Sequence, residues 1–171
     1  MKKTIIYRTI CLLSLLPLFG GCNDTDDVTA IFTGKTWELT FITENGKWWY
    51  PFPDITDPKA YEAYDFIKGN KSFTIIFTGT EKDNVIAGTF TANGSTEFSG
   101  TWTANAKSNK FSCDIKNRRE IDGNDKIMAK IIDGFSKATS YEGDNNNLFI
   151  HYPYNEKINL RLAFHVKRKI Q

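Results

Sequence analysis

The chain has 171 residues, 14% of them aromatic and 25% charged, and a formal net charge of +2. That near-neutral balance excludes the strongly basic footprint of a nucleic-acid binder, and the aromatic content can fill a core without staples. Three cysteines stand at positions 11, 22 and 113, too few and too scattered for a disulfide framework.

At the N-terminus Lys2, Lys3 and Arg8 form a basic segment ahead of the apolar run Thr9 to Phe19. The run is too short to span a bilayer, which needs roughly 20 apolar residues, but suits the hydrophobic part of a secretory signal. It ends in Leu18-Phe19-Gly20-Gly21-Cys22. Small residues directly before a cysteine resemble the lipobox of bacterial lipoproteins. That resemblance implies cleavage before Cys22, a diacylglycerol on its thiol and attachment to the outer membrane. Two or more acyl chains hold stably, at about 0.8 kcal/mol per buried methylene. Phe19 is a less usual residue three places before such a site.

Cleavage changes the charge. Loss of Lys2, Lys3 and Arg8 leaves 19 basic against 20 acidic residues in a mature chain of 150, read as one domain. With Cys11 removed and Cys22 lipidated, Cys113 has no partner for an intrachain disulfide. Residues 22–30 form a lipidated, acidic tether in which Asn23-Asp24-Thr25-Asp26-Asp27 stays solvated. Such a run resembles the acidic export tag of surface lipoproteins; a spacer facing the periplasm is the alternative.

Residues 31–171 read as an α+β domain, a predominantly antiparallel sheet or partly closed barrel with one main and one short helix. Thr36 to Ile42 opens it, with Trp37, Leu39 and Phe41 alternating onto one face. Asn45 to Pro58 reads as a long proline-punctuated loop, and Lys59 to Ile67 as a short helix. Four strands follow over Ser72–Thr78, Asn84–Ala92, Glu97–Ala104 and Lys110–Lys116, with Asn93-Gly94 as a hairpin signal. Met128, Ile131, Ile132 and Phe135 fall at helical spacing on one stripe, with Asp122 or Asn124 as the expected cap. Leu148–Tyr152 and Ile158–Val166 read as the last hairpin, Leu160, Leu162, Phe164 and Val166 alternating inward.

This order carries a resemblance. Gly34-Lys35-Thr36-Trp37-Glu38-Leu39 resembles the opening strand of META/HslJ-like domains. Ile86-Ala87-Gly88-Thr89-Phe90 and Phe98-Ser99-Gly100-Thr101-Trp102 are similar to their glycine-punctuated strands. The helix leading to Thr139-Ser140-Tyr141-Glu142 and Asn147-Leu148-Phe149-Ile150 resembles their ending. Thr91-Ala92-Asn93-Gly94 stands where many members carry Gly-Cys-Asn. The resemblance implies a small extracytoplasmic domain, sometimes linked to stress tolerance, without an established catalytic site.

Candidate chemistry is sparse. His151 and His165 are the only histidines. A hairpin closed by Pro153 to Lys157 puts His151 opposite Asn159, leaving His165 roughly 20 Å further along, so a shared metal is not expected. The runs Asp122 to Asp125 and Asp144 to Asn147 lack the length and terminal Glu of an EF-hand and read as a cap and a turn. Cys113 alternates in phase with Phe111 and Ile115 and reads as a buried structural thiol. No nucleophile elbow, Walker loop, dinucleotide fingerprint or HExxH motif occurs, so the reading is a non-enzyme with no cofactor. The runs Lys116 to Arg119 and Lys167 to Lys169 read as solvated strand ends. One feature points to binding: Trp48, Trp49, Tyr50 and Phe52 within six residues of the expected loop. Displayed there, they are the candidate contacts for a glycan or an envelope protein; folded back, they plug an open end of the barrel.

Overall fold

The computed structural model describes residues 28–49, 73–120 and 125–168. Among them a short helix α1 (Val28–Phe32) precedes strands β1 (Thr36–Glu44) and β2 (Lys47–Trp48). Then come β3 (Thr74–Lys82), β4 (Val85–Asn93), β5 (Phe98–Asn105) and β6 (Lys110–Arg118). Helix α2 (Lys126–Ser136) leads into β7 (Ser140–Gly143), β8 (Asn147–Asn155) and β9 (Ile158–Val166). The expected helix Lys59–Ile67 lies outside the described residues.

Every strand is antiparallel to its neighbours, in the order β2-β1-β3-β4-β5-β6-β7-β8-β9, and a β1–β9 pairing closes the sheet into a ring. The ring is uneven. β1 meets β3 over three rungs and β6 meets β7 through one, Lys110 with Ser140, whereas β3–β4 and β4–β5 pair along nearly their whole length. Helix α2 packs against β6, β8 and β9 and covers the β6–β7 gap. Its cap is Asp125, whose carboxylate accepts from the Met128 N–H at 2.8 Å and from the Ser95 hydroxyl. The cap therefore lies later than expected; Asp122 and Asn124 are outside the described residues.

An eight-stranded ring leaves an interior just wide enough for side chains to fill it. Two phenylalanines organise the filling. Phe32 of α1 lies at one end with its ring 4.6 Å from Trp102, 5.0 Å from Tyr141 and 5.2 Å from Phe77. Phe135 of α2 lies toward the other, 5.9 Å from Phe98, 6.0 Å from Phe90 and 6.1 Å from Phe164. A Phe77–Phe90 contact joins the two layers. Beside the first layer the Trp102 indole N–H donates to the carbonyls of Thr78 and Thr89, both at 3.1 Å. There β3 and β4 run so close that a Cβ on Gly88 would sit 1.8 Å from the Thr78 carbonyl oxygen.

Three expectations are corrected by backbone geometry. Asn45 and Gly46 both have positive φ (48° and 79°) and make a two-residue turn, so Lys47 and Trp48 form a strand rather than the start of a loop. A bulge between Leu39 and Phe41 reverses the alternation of β1, turning Ile42 into the core and Phe41 outward. The last hairpin turns at Glu156-Lys157, which pairs His151 with Arg161 and Tyr152 with Leu160.

Candidate binding surface

The β1–β2 turn and the β8–β9 turn lie at the same end of the barrel, and Asn45 joins them. Its N–H donates to the Asn159 carbonyl at 2.9 Å, its amide group donates to the Lys157 carbonyl, and its amide oxygen accepts from the Asn159 N–H. Alternation along the ribbon then separates the two tryptophans. Trp48 stands opposite Thr43 on the outer face and stacks on Phe41, centroids 5.3 Å apart and planes 13° from parallel, while 52% of its surface reaches solvent. Phe41 shares a rung with Ala163, which pairs in turn with Phe149. The guanidinium of Arg161 lies 4.9 Å over the Phe149 ring. The outer face across β2, β1, β9 and β8 thus carries the exposed Trp48, then the half-buried Phe41 and Phe149 with the buried Ala163 between them, and Arg161 at the margin.

Trp49 goes the other way. Its N–H donates to the Ile42 carbonyl at 2.9 Å, and its ring, half-buried, packs against the core. Lys130 of α2 sits 5.2 Å from that ring and 4.0 Å from Tyr154, which also receives Lys137 at 5.3 Å. Burial pulls Lys130 below the ordinary lysine pKa, with Glu44 opposing. Lys137, paired with Asp133 at 2.7 Å, is raised by that bond. Of the four expected contacts, then, Trp48 is displayed, Trp49 belongs largely to the core, and Tyr50 and Phe52 lie outside the described residues. Phe41 and Phe149 are platform residues the sequence reading missed. Phe41 followed the alternation and was reversed by the bulge; Phe149 alternates with the buried Leu148 and Ile150, a signal that was available.

The histidines share the outer face without meeting. His151 is half-buried beside Arg161, and burial lowers its pKa, Glu142 at 3.7 Å opposing. His165 pairs across from Asn147, four residues and about 13 Å along β8, with its Nδ1 2.9 Å from the Thr40 hydroxyl. Among the described residues no group of three His, Cys, Asp or Glu could hold a metal ion. The Cys113 thiol donates to the Phe135 carbonyl at 2.9 Å beneath α2, and burial pushes its pKa up to about 12. Asp144 closes the β7–β8 turn by accepting from the N–H groups of Asn146 and Asn147, which hold its carboxyl below the usual range. No described helix is long and apolar enough to cross a membrane.

The sequence profile of a family described as "Domain of unknown function (DUF4847)" matches residues 23–166. Among solved structures, the crystal structure of a DUF4847 family protein from Bacteroides vulgatus is similar at 25% identity and a TM-score of 0.59. It covers 84% of this chain and 99% of that one. No curated protein matches.

Proposed function

From the premise that this chain belongs to the DUF4847 family, a domain family of unknown function, we propose an outer-membrane lipoprotein whose barrel is a non-catalytic binding module. It is cut before Cys22, anchored there and displayed on the cell surface, and it meets a glycan or an envelope protein through the strip around Trp48. One observation carries the reading: Val28, where the tether would enter, and Trp48 lie toward opposite ends of the barrel. Val28, six residues after Cys22, begins the helix that plugs one end of the barrel, so extended chain can place it at most about 20 Å from the anchor. Trp48 stands level with Thr43, seven residues along β1 from Thr36, which at ~3.3 Å per residue is roughly 23 Å away. A domain held by α1 points that end away from the membrane. The strip has the make-up of a stacking platform, an exposed indole on a phenyl ring with a guanidinium alongside.

The non-catalytic part is supported by the state of the reactive groups: the Cys113 thiol is committed to a backbone carbonyl and far from ionised at neutral pH. Surface display is supported by the acids following Cys22, and protease shaving of intact cells tests it, since a periplasm-facing domain would survive. Wider kinship with META/HslJ-like domains belongs to the same proposal, supported by the order of strands, helix and final hairpin.

The binding test follows intrinsic tryptophan fluorescence during titration with neutral and acidic polysaccharides and envelope extracts. A saturable change abolished by Trp48→Ala, in a variant of unchanged stability, is the expected result. The absence of any change would hand the lead to a structural or stress-protective role, which the aromatic-filled barrel also favours.

A further inference from the structure

The opposite, α1 end carries a second surface. β3 continues to Lys82 while its pairing with β1 stops at Thr36, and beyond it an isolated Thr33–Phe77 bridge and the Thr29–Glu81 hydrogen bond link β3 to the chain ahead of β1. This leaves an open groove of about 800 Å³ beside α1, lined by Gly34, Lys35, Ile76, Val166, Lys167 and Arg168 among others. Three of its lining residues are cationic and none is acidic. Ile76, 42% exposed, and the half-buried Val166 make its wall apolar. Lys35 donates to the Asn145 carbonyl at 2.8 Å and lies 5.2 Å from the Trp37 ring. Partial burial pulls its pKa below the ordinary lysine value, with Asp144 opposing. Lys167 reaches Glu38 at 3.6 Å, and Arg168 makes no ion pair among the described residues.

We infer that this groove docks on the anionic headgroups of the membrane that anchors the chain, its cations on lipid phosphate and Ile76 and Val166 against the apolar part of the interface. Position and charge argue it together. The groove flanks the helix that the tether enters, within about 20 Å of extended chain from Cys22. At that range cations near an anionic surface each contribute to adhesion. Acyl chains alone hold the protein but leave the barrel free to tumble; an adhesive groove fixes which end faces outward. The inference rests on the lipoprotein reading for its setting, but its test does not.

Every described contact lies between Val28 and Arg168, so the chain from Asn23 onward, without lipid, retains them all. Its co-sedimentation is compared on phosphatidylcholine vesicles with and without phosphatidylglycerol. Binding that needs phosphatidylglycerol and weakens with salt is expected. A Lys35→Gln, Lys167→Gln, Arg168→Gln variant should lose on the order of a hundredfold in affinity, about fivefold per cation. Lys82→Gln, Lys107→Gln, Lys110→Gln removes as much charge from the turns of the same end and should lose far less. Ile76→Ser should weaken binding at high salt, where the apolar wall is what remains. No binding to anionic vesicles, or equal losses in the two triple variants, overturns the groove. Neither result touches the anchor, which detergent partition of the full-length protein with Cys22 intact or as Cys22→Ser reads separately, nor the Trp48 strip, read by the glycan titration.

Discussion

The two ends of this barrel are closed by the same device made in two different ways. At one end an eleven-residue amphipathic helix, capped by Asp125, lays Met128, Ile131, Ile132 and Phe135 over the sheet. At the other, five residues suffice, with Val28, Ile31 and Phe32 buried, the Phe32 ring at the centre of an aromatic cluster and Thr29 bonded to Glu81 at 2.9 Å. A helix of five residues has no independent stability, because nucleation costs more than one turn returns. α1 is held by where its phenylalanine goes; α2 brings a stripe, a cap and length of its own. A plug need not be a good helix if its anchor residue is surrounded on all sides.

The sharpest way to break this comparison is to truncate each anchor. Phe32→Ala and Phe135→Ala should each cost about 3–5 kcal/mol in denaturant unfolding. Loss of Phe32 should also release α1, seen as new protease cleavage ahead of Thr36, while α2 stays protected in Phe135→Ala. A cost under about 1 kcal/mol for Phe32→Ala would deny α1 its role as plug. Next comes the adjacent pair: Trp49→Ala should cost about 2 kcal/mol as a partly buried aromatic, whereas Trp48→Ala should stay within about 0.5 kcal/mol. Equal costs would mean that the indole at Trp48 is core and would remove the binding strip.

Asp125→Ala should lower stability by about 1 kcal/mol through the lost cap, with hydrogen exchange rising in the first turn of α2. Cys113 supplies a kinetic test of the α2 lid. With its pKa raised to about 12, the thiol should resist alkylation at neutral pH in the folded chain and react fully in denaturant. Rapid native-state labelling would show α2 leaving the β6–β7 gap. The smallest effect is a pH dependence. His151 has a lowered pKa when folded, so the unfolded chain binds its proton first as pH falls. Its contribution is present above about 6.5, the unfolded value, and fades on acidification below it. His151→Gln should flatten that part of the stability curve.

Sequence by itself determined the elements whose signal is local. Strand alternation located β3, β4, β5, β6, β8 and β9 to within a few residues, the helical stripe located α2, and the same alternation put Cys113 on the face that α2 covers. Asn45-Gly46 carried the same hairpin signal as Asn93-Gly94 but was submerged in the prolines and aromatics that follow it. What the tertiary structure alone decided is non-local. The bulge that turns Phe41 outward depends on how β1 must twist to pair with β9, and nothing in TWELTFITE announces it. Helix α1 exists because a ring of strands closes around Phe32, which five residues of sequence cannot signal. The separation of Trp48 from Trp49 needed only a period of two once Lys47 and Trp48 were known to be a strand. That Trp48 lies toward the end opposite α1, with Phe41, Ala163 and Phe149 running back across the sheet beside it, follows from the closure of the barrel, a contact between its first and last strands.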